Sequence, residues 1–198
     1  PIYWLGNTRR FEKLHVLVTG AAGFIGSATA LRLVQSGHHV TAVDNFSTYY
    51  ARELKLLRRE IFLKHNEIDF VELDLSDINE VEKLFKKRKF DSIFHFAAQA
   101  GVRIPLNRWS NYTRDNLVGF SNILTIAAHN KISDFIYASS SSVYGNASNN
   151  RFSEYETQPS PISFYGATKL SNEFLARATS KATGMRTRGL RFFTVYGP

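Results

Sequence analysis

Cysteine is absent from the 198 residues, which removes disulfides, thiolate metal sites and cysteine nucleophiles together. That absence fits a reducing, cytoplasmic setting. No apolar run is long enough to span a bilayer, and the first eleven residues lack the apolar centre of a secretory signal. With 5 Pro and 12 Gly and no repetition of either, collagen-like and mucin-like classes fall away. Acidic residues are in deficit: 25 Lys and Arg against 17 Asp and Glu leave a formal charge of +8. Such an excess suits anionic partners. The cations are nevertheless spread along what read as solvated helix faces. The one dense run, Lys86-Lys87-Arg88-Lys89, suits a helix end, where basic side chains complement the dipole. No nucleic-acid motif accompanies it, so neither nucleic acid nor membrane is an expected partner.

What is present is ordinary globular material. A hydrophobic share of 43%, evenly spread, excludes disorder as the dominant state and suffices for one domain with its own core. The apolar run 14–19 stops at Gly20 in the manner of a buried parallel strand. Helical spacing follows over 24–36, with Ile25, Ala28, Leu31 and Val34 in register and Gly37 ending the run. Further strands are expected at 39–43, 68–73, 92–96, 135–138 and 189–193, and helices at 52–62, 78–85, 112–129 and 165–182. This alternation predicts a doubly wound parallel α/β sheet of the Rossmann type, with right-handed crossovers covering both faces. Residues 14–198 read as one such domain behind an amino-terminal extension, 1–13. The longest irregular stretch, 139–163, is rich in Ser, Asn and Pro, and a loop of that length is usually functional or disordered.

Two motifs carry chemistry. Gly20-Ala21-Ala22-Gly23-Phe24-Ile25-Gly26 follows the first strand and opens the first helix. Glycines there let the backbone turn tightly and approach a pyrophosphate at the helix amino terminus. Asp44 ends the second strand, where a carboxylate can accept ribose hydroxyls, and its charge favours NAD over NADP. The second motif is Tyr165-Gly166-Ala167-Thr168-Lys169, whose four-residue spacing puts Tyr165 and Lys169 on one helix face. A tyrosine base at neutral pH needs its phenolate stabilised, and a nearby ammonium can do so. Upstream, Ser139-Ser140-Ser141-Ser142-Val143-Tyr144-Gly145 sits at the carboxyl edge of the fifth strand, the edge where such sheets bind ligands. His95, within a strand, reads as a hydrogen-bonded core residue. Asp69, Glu72 and Asp74 offer no metal spacing, so no metal is expected.

Together these residues resemble the extended short-chain dehydrogenase/reductases of the NAD-dependent epimerase/dehydratase kind, from residue 14 to the end of the chain. Asp74-Leu75 matches the family segment beside the adenine, and Phe96-Ala97-Ala98-Gln99-Ala100 the one lining the cofactor after the fourth strand. Asn116-Leu117-Val118-Gly119 matches a helix motif, and Arg191-Phe192-Phe193-Thr194-Val195-Tyr196-Gly197-Pro198 the sixth strand and substrate loop. Three stretches look most like UDP-glucuronate 4-epimerases: Asp44-Asn45-Phe46 with Tyr49-Tyr50, Gln99-Ala100-Gly101-Val102-Arg103, and the serine run.

The resemblance implies NAD as cofactor, held by the glycine loop, Asp44, Asn45, Asp74, Leu75, Ala97, Ala98, Gln99, Asn116, Tyr165, Lys169 and Phe192. It implies a UDP-sugar as partner, with Val102, Arg103, Ser141, Ser142 and Thr194 against it, and leaves room for a homodimer. The implied reaction is epimerisation by transient oxidation at C4. Tyr165 takes the 4-hydroxyl proton, Ser140 holds that oxygen and Lys169 bonds the ribose and favours the phenolate. Ser141 and Ser142 stand where sugar dehydratases carry an acid–base pair, which disfavours loss of water. Family members continue into a smaller substrate domain, so this chain is expected to be a piece that ends before it. A UDP-glucose 4-epimerase, another dehydratase or decarboxylase of the family, and a non-catalytic NAD-binding module remain open as alternatives.

Overall fold

A computed structural model describes residues 12–49, 51–103, 105–146, 152–155 and 158–197. Residues 1–11 of the expected extension, Tyr50 and Pro198 lie outside them. Six strands form one parallel sheet: β1 (His15–Thr19), β2 (His39–Asp44), β3 (Ile68–Glu72), β4 (Ser92–His95), β5 (Asp134–Ser140) and β6 (Arg186–Phe192), in the order β3-β2-β1-β4-β5-β6. The helices are α1 (Phe24–Gln35), α2 (Arg52–Phe62), α3 (Ile78–Lys87), α4 (Trp109–Tyr112), α5 (Gly119–His129) and α6 (Phe164–Thr183). This is the expected doubly wound arrangement.

Alternation along β1 explains why it reads as a continuous apolar run. Leu17 joins Ile93, Phe120, Ile123 and Phe135 on one face, while Val16 and Val18 join Val40, Ala42 and Phe62 on the other. Two helix starts, those of α3 and α6, follow capping side chains. The Asp77 carboxylate accepts from the Asn79 and Glu80 amides to begin α3. The Ser163 hydroxyl accepts from the Gly166 amide at 3.0 Å to begin α6, which stops at Gly184 with φ 79°.

The larger departures from the expected boundaries are three. The helix expected at 112–129 is composite, with a π-helical segment, Thr113–Val118, between α4 and α5. β5 runs on through Ser139 and Ser140, because β6 keeps pairing with it as far as Ser140 opposite Phe192. β6 starts at Arg186, earlier than its apolar residues suggest. Arg186 and Arg188 both pair with the Asp134 carboxylate, so charge aligns a stretch that hydrophobicity leaves unmarked.

The chain order reverses at β1, which pairs with β2 on one side and β4 on the other. Loops leaving the carboxyl ends of β1 and β4 therefore diverge and open a crevice between them.

Candidate active site

That crevice is a cleft of about 1000 Å³. The glycine loop forms one wall. Gly20 has φ +67°, and a Cβ there would lie 2.6 Å from the Ala97 nitrogen. A Cβ on Gly26 would collide with the Gly20 carbonyl oxygen. Both positions are thus closed to any side chain, and the backbone itself faces the cleft. The amino end of α1 carries no side-chain cap and no acidic residue in its first turn. Its positive dipole end is left for an anion, which fits a pyrophosphate.

Asp44, 6% exposed, ends β2 and lines the cleft. Its carboxylate accepts from the Phe46 amide at 2.8 Å, the Ala22 amide at 3.1 Å and the Lys55 ammonium at 3.2 Å. Arg58, one turn further along α2, donates to the Ala22 carbonyl at 3.0 Å. Both cations line the cleft, and neither is singled out by the sequence motifs. Their signal is spacing: Lys55, Arg58 and Phe62 share a helix face, and Phe62 is fully buried. Lys55 beside this carboxylate and Arg58 on the same wall of the cleft weaken the expected repulsion of a 2′-phosphate. At Asp74, partial burial opposes ionisation, but bonds from the Ser76 amide and hydroxyl outweigh it and hold the carboxyl below its ordinary value.

The facing wall comes from the end of β5 and from α6. The Ser140 hydroxyl accepts from the Ser142 amide at 3.1 Å and so caps the 3₁₀ turn Ser141–Tyr144. Tyr165, half-buried in the first turn of α6, packs its ring 5.9 Å from that of Tyr112. Lys169 follows one turn on and is 2% exposed. Its ammonium donates to the Ala138 carbonyl at 2.9 Å and lies 5.8 Å from the Tyr165 ring centroid. Burial lowers the Lys169 pKa to about 8, so at neutral pH it remains chiefly a cation beside the phenol. His95 lies in the core and bonds the Thr19 hydroxyl at 2.9 Å. Burial first, and then the Lys169 charge, push its pKa down to about 3, which keeps it neutral.

Most residues singled out by sequence meet in this cleft. Gly20, Gly23, Phe24, Ile25, Gly26, Asp44, Asn45, Asp74, Leu75, Ala97, Ala98 and Phe192 line it with Ser140, Tyr165 and Lys169, as do Val102, Ser141, Ser142 and Thr194. Gln99 and Asn116 do not line it. Asn116 accepts from the Gln99 amide at 2.7 Å and donates to the Gln99 carbonyl and the Thr168 hydroxyl at 3.2 Å each. The pair ties the loop after β4 to α6 from behind the wall. Arg103 is exposed and also lies outside the lining. Tyr49, known from sequence only as part of a resemblance, abuts the Gly101 backbone, whose carbonyl accepts from the Tyr112 hydroxyl. Among the described residues no three His, Asp or Glu side chains gather as a metal site, and no helix is long and apolar enough to cross a membrane.

Comparison with known proteins follows the same lines. Residues 16–198 match the model of the NAD dependent epimerase/dehydratase family. UDP-glucuronate 4-epimerase 6 of Arabidopsis thaliana is 44% identical over 193 residues, 97% of this chain and 42% of its own length. The crystal structure of UDP-glucuronic acid 4-epimerase from Bacillus cereus, in complex with UDP-glucuronic acid and NAD, superposes with a TM-score of 0.85 at 35% identity, covering 93% of this chain and 58% of that one. The UDP-Glc/GlcNAc 4-epimerase of Campylobacter jejuni gives 0.83 at 30% identity, covering 91% and 53%. The chain spans about half the length of the curated relatives that it matches.

Proposed function

The chain belongs to the NAD-dependent epimerase/dehydratase family, and from that premise we propose that the full protein is a nucleotide-sugar 4-epimerase with tightly held NAD, acting on UDP-glucuronate. One observation carries the reading: Ser140, Tyr165 and Lys169 converge on the cleft whose other wall is the glycine loop. A dinucleotide seated at the amino end of α1 and a sugar beside the serines would then share one space.

NAD, when bound, supplies a reversible acceptor for the two electrons at sugar C4. The chain's own residues handle the proton and the charge. Tyr165 removes the 4-hydroxyl proton, and the Lys169 ammonium favours the phenolate needed for it. Lys169 is held in place by the Ala138 carbonyl, which keeps its charge directed at the tyrosine side of the cleft. Ser140 offers its hydroxyl to the same sugar oxygen, with its own geometry set by the Ser142 amide. The Asp44 and Lys55 pair borders the adenosine end, and the open end of α1 takes the pyrophosphate. Ser141 and Ser142 line the sugar side and supply no acid–base pair for removing water, so inversion at C4 is favoured over dehydration.

The test is direct. The full-length protein, without added cofactor, is expected to interconvert UDP-glucuronate and UDP-galacturonate with no change in mass. A product lighter by water or carbon dioxide would overturn the epimerase reading. A second reading, a UDP-glucose or UDP-N-acetylglucosamine 4-epimerase, is supported by the nearly equal fold similarity to the Campylobacter enzyme. Turnover of neutral UDP-sugars in preference to UDP-glucuronate would move it ahead.

A further inference from the structure

Behind the serine run lies a polar junction that the proposed chemistry does not use. Glu173 stands on α6 four residues after Lys169 and eight after Tyr165, on the same helix face. Its carboxylate accepts from the Ser139 hydroxyl at 2.5 Å, and from Arg191 of β6 through Nε at 2.9 Å and a second guanidinium nitrogen at 2.8 Å. The Arg191 guanidinium in turn lies 4.7 Å from the centroid of the Tyr144 ring, the last residue of the 3₁₀ turn that Ser140 caps. Four elements meet at this one ion pair: α6, the end of β5, the turn after it, and β6.

Both side chains are largely buried, at 17% and 16% exposure, and the remaining guanidinium nitrogen, Nη1, is buried with no hydrogen-bond partner among the described residues. Removing two charges from water cancels much of what their attraction returns, and an unpartnered N–H adds to the deficit. Net stability is therefore a poor account of the arrangement. Geometry is a better one. Ser139 and Ser140 are consecutive in a strand, so fixing the Ser139 side chain on one face sets the direction of Ser140 on the other.

We propose that Glu173 and Arg191 are positioning residues: through Ser139 and Tyr144 they clamp the end of β5 to α6 and so hold Ser140 in reach of the oxygen that Tyr165 deprotonates. The proposal rests on the epimerase reading for its catalytic half, while the clamp itself is a property of the fold. Displacing a reacting group by about 1 Å lowers a rate by as much as about 100-fold without altering the contacts that bind substrate.

Glu173→Gln and Ser139→Ala in the full-length protein, together with the double variant Glu173→Gln/Arg191→Gln, separate these roles. Amide hydrogen exchange over residues 139–145 is expected to quicken in both single variants while β1 and β2 stay as protected as before. With UDP-glucuronate, kcat should fall by about 10- to 100-fold, with KM and NAD affinity within about twofold. The double variant, with no charge left unpaired, should regain thermal stability but not kcat. Ser139→Ala leaves the ion pair intact and keeps the test open should Glu173→Gln fail to fold. Unchanged exchange over 139–145 in the variants overturns the clamp. Faster exchange with unchanged kcat overturns its catalytic role, as does recovery of kcat along with stability in the double variant. Should the unaltered protein convert no UDP-sugar, the epimerase reading fails, and exchange alone decides the clamp.

Discussion

Strand β1 buries Val16, Leu17 and Val18 almost completely between two apolar clusters, whereas β6 leaves Arg186, Arg188 and Leu190 exposed and is aligned through ion pairs to Asp134 and Glu173. The two strands belong to opposite walls of one cleft. On the β1 wall, geometry comes from close packing and from side chains that are missing, at Gly20 and Gly26. On the β5–β6 wall it comes from hydroxyls, a lysine and paired charges. The first wall should fail when atoms are added, and the second when polar atoms are removed.

The largest effect is expected on the polar wall. Tyr165→Phe removes one oxygen and keeps the ring in its place against Tyr112. In the full-length protein kcat should drop about 10²- to 10⁴-fold, the usual contribution of a positioned acid–base group, while NAD affinity stays within about twofold. Steady-state rates and calorimetric NAD titration check it. Turnover at the unaltered rate would remove Tyr165 from the chemistry, whereas no turnover by the unaltered protein would favour a non-catalytic NAD-binding module.

Next comes the packed wall. Gly26→Val places carbon where the Gly20 carbonyl oxygen already stands, so the loop must shift away from α1. NAD affinity should fall by at least about 100-fold, equivalent to about 2.8 kcal/mol. An affinity within a few-fold of the unaltered protein would show that the dinucleotide does not seat on this loop.

The difference between the walls also explains what could be read from sequence. Gly20, Gly23 and Gly26 announce themselves, because a backbone that must come close to a ligand allows one residue type. Tyr165 and Lys169 share a face by spacing alone. Lys55 and Arg58 stand in no motif, and a basic helix looks solvated until its packing against Asp44 is known. Asn116 and Gln99 carry a resemblance to cofactor contacts, while their bonds to each other, 17 residues apart, leave no local pattern. The start of β6 carries no local signal, because Arg186 and Arg188 are aligned by a carboxylate 52 and 54 residues away. Long-range polar pairing leaves little periodic trace.

The smallest expected effect lies between the walls, at His95 on β4. It bonds Thr19 of β1 at 2.9 Å and lies under the influence of Lys169 from α6. Burial and that charge lower its pKa from 6.5 to about 3 in the folded protein. Above pH 6.5 the imidazole is neutral in both folded and unfolded chains, and its contribution to stability is fully present. As pH falls below 6.5 the unfolded chain takes up a proton that the folded chain refuses, so unfolding is favoured, until the folded form titrates near pH 3. The slope approaches about 1.4 kcal/mol per pH unit in that window, or about 2 kcal/mol between pH 6.5 and 5. His15, lowered chiefly by partial burial and then by Arg88, pulls in the same direction, so a single curve does not isolate His95. Asp134 lies apart: its carboxyl is held below its ordinary 3.8 chiefly by the Arg186 bond, and its stabilisation is lost only as pH falls below that value. Urea unfolding of the unaltered protein and of His95→Gln, from pH 7.5 down to 4.5, reads the difference. Glutamine keeps a polar group for Thr19 and cannot titrate, so its curve should be the flatter by nearly the full slope. Parallel curves would mean that the folded protein admits a charged imidazole beside Lys169, and that this junction of the two walls is looser than its burial implies.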